Sequence, residues 1–186
     1  IKKDVNEVLI TGGDPLMAYG LLEFCLSQIQ IHAPNIKTVR FGTRVPLQDP
    51  TRVNDKLLDI LSKYDELDFE FGINTCHYAE FTPQSEEAIT KLIKAGYRVY
   101  NQHPLLKNVN DNAETLIKLY DKMRELKVEG HYLFHAIPMR GMSHHRTSVE
   151  RGLKLSMELS SSGYFSGRTK PRFCLMTDLG KVVLYE

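Results

Sequence analysis

The feature that most constrains this chain is a regular alternation of short β-type runs with amphipathic helical runs. The apolar spacing switches from two to about 3.6 and back, again and again. Strand-like runs fall at 5–11, 37–43, 68–75, 97–103 and 129–137. Helices are predicted over 15–32, 54–64, 82–95, 111–127 and 147–160. In the first, Leu21, Leu22, Cys25, Leu26 and Ile29 recur at helical spacing. The third is the best marked: Thr82 caps it, Pro83 holds its first position, Glu86 and Glu87 suit its positive end, and Gly96 closes it. Asn54, Asn110-Asp111 and Thr147 read as caps of other helices. Residues 172–177 and 181–185 read as a closing hairpin around Asp178-Leu179-Gly180.

Strands alternating with helices imply parallel strands joined by crossovers, an α/β fold. No GxGxxG follows the first strand, which favours a barrel or partial barrel over a dinucleotide fold. Residues 1–160 are read as the barrel, and 161–186 as a loop and hairpin completing the same domain. In a barrel the chemistry sits at the carboxyl ends of the strands. Those ends here are 11–15, 42–46, 74–78, 101–104 and 135–139, each rich in glycine or polar side chains.

A net charge of +1 gives no sign of a nucleic-acid partner. No apolar run is long enough for a membrane span and no signal peptide is present. Cys25, Cys76 and Cys174 are far apart and form no CxxC, so neither a disulfide framework nor a metal knuckle is expected. A reducing, cytoplasmic setting follows. At the first strand end, Gly12 and Gly13 permit positive φ and close approach of a ligand, and the helix start beyond them offers free N–H groups. Asp14 then either caps the turn or holds an ammonium. His131 and His135 share a strand face by parity. His135, pointing into the barrel from a strand end, is a candidate substrate contact. His144 and His145 follow without accompanying carboxylates, so no metal site is expected.

Five stretches taken together carry a resemblance: TGGDPLM (11–17), FGTRVPLQDPTRV (41–53), INTCHYAEFT (73–82), NQHPLLKNVNDNAETL (101–116) and HHRTSVERG (144–152). In this order the chain resembles the lysine 2,3-aminomutase-like family of radical S-adenosylmethionine (SAM) enzymes, a group that includes the aminomutases of elongation factor P β-lysylation. The resemblance implies a partial (β/α)6 barrel. It implies a [4Fe–4S] cluster that cleaves SAM to a 5′-deoxyadenosyl radical, which takes hydrogen from an amino acid held on pyridoxal phosphate (PLP). Gly12, Gly13 and Asp14 match the motif that holds the methionyl amino group of SAM. Arg44 matches an arginine that pairs with the SAM carboxylate, for which a planar fork is suited. His77 matches a histidine near the adenine, and Gln102 matches a further SAM contact.

The sequence also departs from that family. Its CxxxCxxC cluster motif is absent. Because the chain opens on Ile1 and ends inside a strand-like run, the reading is a piece of a longer protein, with cluster ligands and PLP-phosphate ligands upstream. On that reading the chain alone is inactive, and its barrel lacks the first strand, leaving an open edge that favours self-association. The PLP lysine of the family falls near Ser166, and Lys170 is the nearest substitute. Ile137 stands where lysine-specific members have an acid, which argues against free lysine as substrate. Asn112 replaces a zinc-binding cysteine, so no zinc is expected. The expected partners are a small amino-acid-type substrate and an external electron donor. The expected reaction is hydrogen abstraction with 1,2-amino migration. PLP-independent radical chemistry and a SAM-shaped barrel without catalysis are the alternatives.

Overall fold

Side-chain alternation explains the sheets. The computed structural model describes residues 4–164 and 167–186. Ile1 and Ser166, on which two of the expectations rest, lie outside the described residues. The chain divides into two compact units, residues 1–73 with 82–99, and residues 74–81 with 100–186.

In the first unit β1 (Glu7–Ile10), β2 (Thr38–Thr43) and β3 (Asp68–Ile73) run parallel in chain order. Helical segments separate them, as parallel pairing requires: α1 (Tyr19–His32) before β2, then α2 (Val45–Gln48) and α3 (Asp55–Ser62) before β3. α4 (Pro83–Lys94) comes after β3. Val39, Phe41, Phe69 and Phe71 share one buried face. The Phe41 and Phe71 rings lie 5.2 Å apart, and Tyr97 meets Phe69 edge-on at 5.9 Å. The opposite face carries charge: Arg40 pairs with Glu7 at 2.9 Å and Glu70 at 3.4 Å, and Arg98 pairs with Glu70 at 2.9 Å.

The caps at Asn54 and Thr82 form as expected, the latter reciprocally with Ser85. The first helix differs. Residues 15–17 form a separate 3-10 turn, and Ala18 at φ −133° breaks the chain direction before α1 begins. Leu22 and Leu26 are buried, but Leu21, at the same helical spacing, is 63% exposed, and Phe24 and Ile31 share its exposed side. Two opposed apolar faces on one helix make the inward side ambiguous from spacing alone.

In the second unit β4 (Arg98–Leu105, of which residues 100–105 belong here), β5 (Glu129–His135) and β6 (Arg172–Thr177) are parallel, and β7 (Gly180–Tyr185) returns antiparallel to β6 as the expected hairpin. The register jumps from Asn101 opposite Gly130 to Gln102 opposite Tyr132. His131 is therefore a bulge residue, and the parity argument linking it to His135 fails there. α5 (Ala113–Glu125) and α6 (Val149–Ser161) cover one face. Asn101 and His103 turn toward Met123 and Tyr120 of α5, while Phe173 turns toward Gly152 of α6. Two caps fall one or two residues later than expected: Asn112 accepts from Thr115 N–H to start α5, and Ser148 accepts from Arg151 N–H to start α6. Asn110 instead bonds inward toward His103, and the Thr147 carbonyl meets the His135 ring. Among the described residues no helix is long and apolar enough to cross a membrane.

The Gly152–Phe173 contact leaves no room for a side chain. A Cβ at residue 152 would lie 2.1 Å from Phe173 Cζ. Gly152→Ala is expected to destabilise the protein by about 1–3 kcal/mol through overpacking. Phe173→Leu in the same chain should recover part of that loss, and thermal melts of the two single variants and the double variant check it.

Candidate active site

At the end of β1 the chain turns through Gly12, whose φ of +114° a side chain would oppose. Open space lies above both Gly12 and Gly13, with no atom within 4 Å of where a Cβ would stand. Asp14 fixes this turn. Its Oδ1 accepts from Leu16 N–H (3.1 Å) and from the Thr43 hydroxyl (2.7 Å). Its Oδ2 accepts from Arg44 N–H (2.5 Å) and Val45 N–H (3.2 Å). Asp14 is thus the cap that one reading of the sequence gave, and it also ties the end of β1 to the end of β2. The clamp brings Gly12, Gly13, Asp14 and Arg44 together. A cavity of about 530 Å³ opens beside the turn, lined by Thr11, Gly13, Asp14, Met17, Leu21 and Cys25 among others.

In the second unit a 3-10 turn at Tyr78–Glu80 carries His77 at its cap. His77 Nδ1 accepts from Ala79 N–H at 3.1 Å, and the ring lies 4.2 Å from that of Tyr78. Glu80 Oε1 gathers Cys76 N–H, His77 N–H and the Thr75 hydroxyl. Two asparagines fasten this loop to β4 and to the segment just beyond that strand. Asn101 exchanges two hydrogen bonds with the Thr75 backbone, each 3.0 Å. Asn110, fully buried, accepts from Leu106 N–H (2.7 Å) and directs its amide at the carbonyls of Cys76 and Pro104 and at His103 Nδ1.

His103 completes the network, with Nε2 3.0 Å from the Tyr120 hydroxyl. In the neutral ring one nitrogen donates and the other accepts: Nδ1 faces both the Asn110 amide and the Pro104 carbonyl, and Nε2 pairs with the Tyr120 hydroxyl in the direction the tautomer leaves. Burial holds its pKa down at about 4, only partly offset by the Pro104 carbonyl. Burial likewise pushes the Tyr120 phenol well up. No sequence pattern singled out His103 or Tyr120, whose partners lie 17 residues apart.

Gln102, half-buried on β4, lies opposite Tyr132 on the face away from α5 and α6. His135 lies on the other face. It is 4% exposed, its ring meets Phe173 edge-on at 6.5 Å, and its Nε2 donates to the Thr147 carbonyl at 3.0 Å. The expected inward orientation is corrected: Leu133 and Phe173 occupy the same helix-covered face, and the ring joins them there. Arg146 Nε donates to the Ala136 carbonyl nearby. Ile137 is exposed. Cys25, Cys76 and Cys174 form no disulfide, and among the described residues no three His, Cys, Asp or Glu gather as a metal site.

No family model matches the chain. It is 39% identical, over 96% of its length, to a protein of Aquifex aeolicus named "Putative L-lysine 2,3-aminomutase", of which it covers 48%. It is 35% identical over 91% of its length to the L-lysine 2,3-aminomutase of Methanococcus maripaludis, covering 38% of that protein. It is 32% identical over 96% of its length to the glutamate 2,3-aminomutase of Clostridioides difficile, covering 41%. The chain thus spans less than half the length of these relatives. Its fold is similar to that of a radical SAM methyltransferase from Sphaerobacter thermophilus, with a TM-score of 0.65 at 17% identity, covering 91% of this chain and 51% of that one. The expected α/β fold, a partial radical SAM barrel, is the fold observed.

Two outcomes are expected from the geometry. Asp14→Asn turns one acceptor into a donor facing N–H groups, and should cost about 2–4 kcal/mol of stability, read from urea unfolding. For His103 the folded-state pKa of about 4 lies below the ordinary 6.5. Acid therefore protonates the unfolded chain first. The neutral ring's contribution is complete above pH 6.5 and is lost as pH falls toward 4, by up to about 3 kcal/mol. Unfolding curves at several pH values should show that loss in the unaltered chain and a smaller one in His103→Gln.

Proposed function

Because the chain belongs to the lysine 2,3-aminomutase-like family of radical SAM enzymes, we propose that it is the part of a longer enzyme that holds SAM and faces an amino-acid substrate. The observation that carries this is the Asp14 clamp, which holds the Gly12-Gly13 turn open where the family's matching motif receives the methionyl amino group. The Asp14 carboxylate already takes four donors, so the carbonyl oxygens of Gly12 and Gly13 receive the ammonium, and Asp14 acts by shaping the turn. Arg44 pairs with the SAM carboxylate. His77 and Gln102 keep the adenine and SAM contacts that the family resemblance gives them. SAM, when bound and reductively cleaved, supplies the hydrogen-abstracting chemistry. The chain's own residues orient it and shape the substrate side.

The described residues do not fit a [4Fe–4S] cluster, since no three ligands gather. The cluster ligands are therefore assigned to other residues of the enzyme, and the 186-residue chain by itself is expected not to cleave SAM. The amine nearest in sequence to the family's PLP lysine is Lys170, and amino migration, as distinct from hydrogen abstraction, needs such an amine to carry PLP. The relatives' names span lysine and glutamate. Ile137 offers nothing to an ammonium, which disfavours free lysine. An external reductant is the expected partner, with no role for nucleic acid or membrane.

The longer protein, reconstituted with iron and sulfide without oxygen and reduced in the presence of SAM, should release 5′-deoxyadenosine. A fully assembled cluster with no such product would refute the reading. Arg44→Met should weaken SAM binding by about tenfold or more, measured by calorimetric titration.

A further inference from the structure

The sheet face of the second unit that turns away from α5 and α6 has its own chemistry. By register it carries Gln102 on β4, Tyr132 and Phe134 on β5, and Arg172 on β6. The Tyr132 and Phe134 rings lie 5.2 Å apart and make a continuous half-buried aromatic floor. Two cations stand over it. Lys181 Nζ is 4.4 Å from the Tyr132 centroid and 5.8 Å from that of Phe134, and the Arg172 guanidinium carbon is 5.0 Å from the Tyr132 centroid.

Among the described residues neither cation is held in an ion pair. Arg172, Lys181 and Glu186, the last exposed beyond β7, all act on the buried Cys174 thiol, whose pKa burial pushes up. Two positive charges gathered over one ring repel each other, and an anion placed between them removes that repulsion. Cation–π contact holds both side chains ready without neutralising either.

We propose that Arg172, Lys181 and Tyr132 form a subsite for the carboxylate of an acidic amino-acid substrate, with the aromatic floor taking its methylene groups. The proposal deepens the reading above and rests on it for the substrate being an amino acid. It agrees with Ile137, which cannot hold an ammonium, because the available charge on this face has the opposite sign. A phosphate, such as that of PLP, shares the same binding chemistry, and the test separates the two.

The longer protein is titrated calorimetrically at low salt with L-glutamate, L-lysine and inorganic phosphate. Glutamate should bind and lysine should not. Arg172→Gln and Lys181→Met should each weaken glutamate by about tenfold; Lys181 is exposed and Arg172 half-buried, so thermal melts of both variants check that each stays folded. Glutamate binding no tighter than lysine, or untouched by both substitutions, overturns the proposal. Phosphate binding tighter than glutamate, and lost with Arg172→Gln, also overturns it and makes the pair a phosphate seat. A parallel SAM titration of the longer protein keeps the two ideas apart. SAM binding with no glutamate binding removes the subsite alone, whereas loss of SAM binding removes the wider reading.

Discussion

Four donors converge on one carboxylate at the end of the first strand, and much of the first unit's geometry depends on that convergence. Asp14 accepts from its own turn through Leu16 and from the far strand end through Thr43, Arg44 and Val45. A hydrogen bond to a charged acceptor is roughly twice as strong as a neutral one. Because the donors come from two strand ends, they fix the relation of those ends as well as the turn itself. The backbone of Arg44 is part of the clamp, so the guanidinium leaves from a held position. The glycines gain a fixed conformation without any side chain filling the space above them.

The second unit solves the same problem with amides. The loop bearing His77 has little apolar side chain of its own to bury, so it is held through backbone groups: Asn101 grips Thr75 and Asn110 grips Cys76. A buried amide can donate and accept at once, which suits it to bridge segments. The neutral His103 ring and the Tyr120 hydroxyl complete the pairing around it. Such a network is stable only while each member is satisfied.

These two arrangements mark where the sequence was readable and where it was not. The alternation of strands and helices was legible because apolar period is a local property, and so were the Asn54 and Thr82 caps, whose partners sit three residues away. The role of Asp14 was legible only as a choice, since its deciding partners are about thirty residues off. Asn110 looked like a helix cap because its neighbours resemble one, while Asn112 takes that part. The face of His135 is not legible from parity, because orientation at a strand end depends on register with the next strand. Arg172 and Lys181 carry no motif, and the aromatic floor beneath them comes from another strand.

The glycine in α6 bears on when this protein can finish folding. Phe173 fills the space that residue 152 leaves bare, and it belongs to a strand made after the helix. Helices form in under a microsecond, whereas synthesis adds about 5–20 residues each second. The 12 residues from Ser161 to Phe173 take about 0.6–2.4 s to add at that rate, and through that interval the notch on the α6 segment has nothing to fill it. The helix has no unique seat until the strand bearing Phe173 leaves the ribosome. The seating of α6 in the second unit is thus timed by translation, and chaperones that shield apolar surface have a defined interval in which to act.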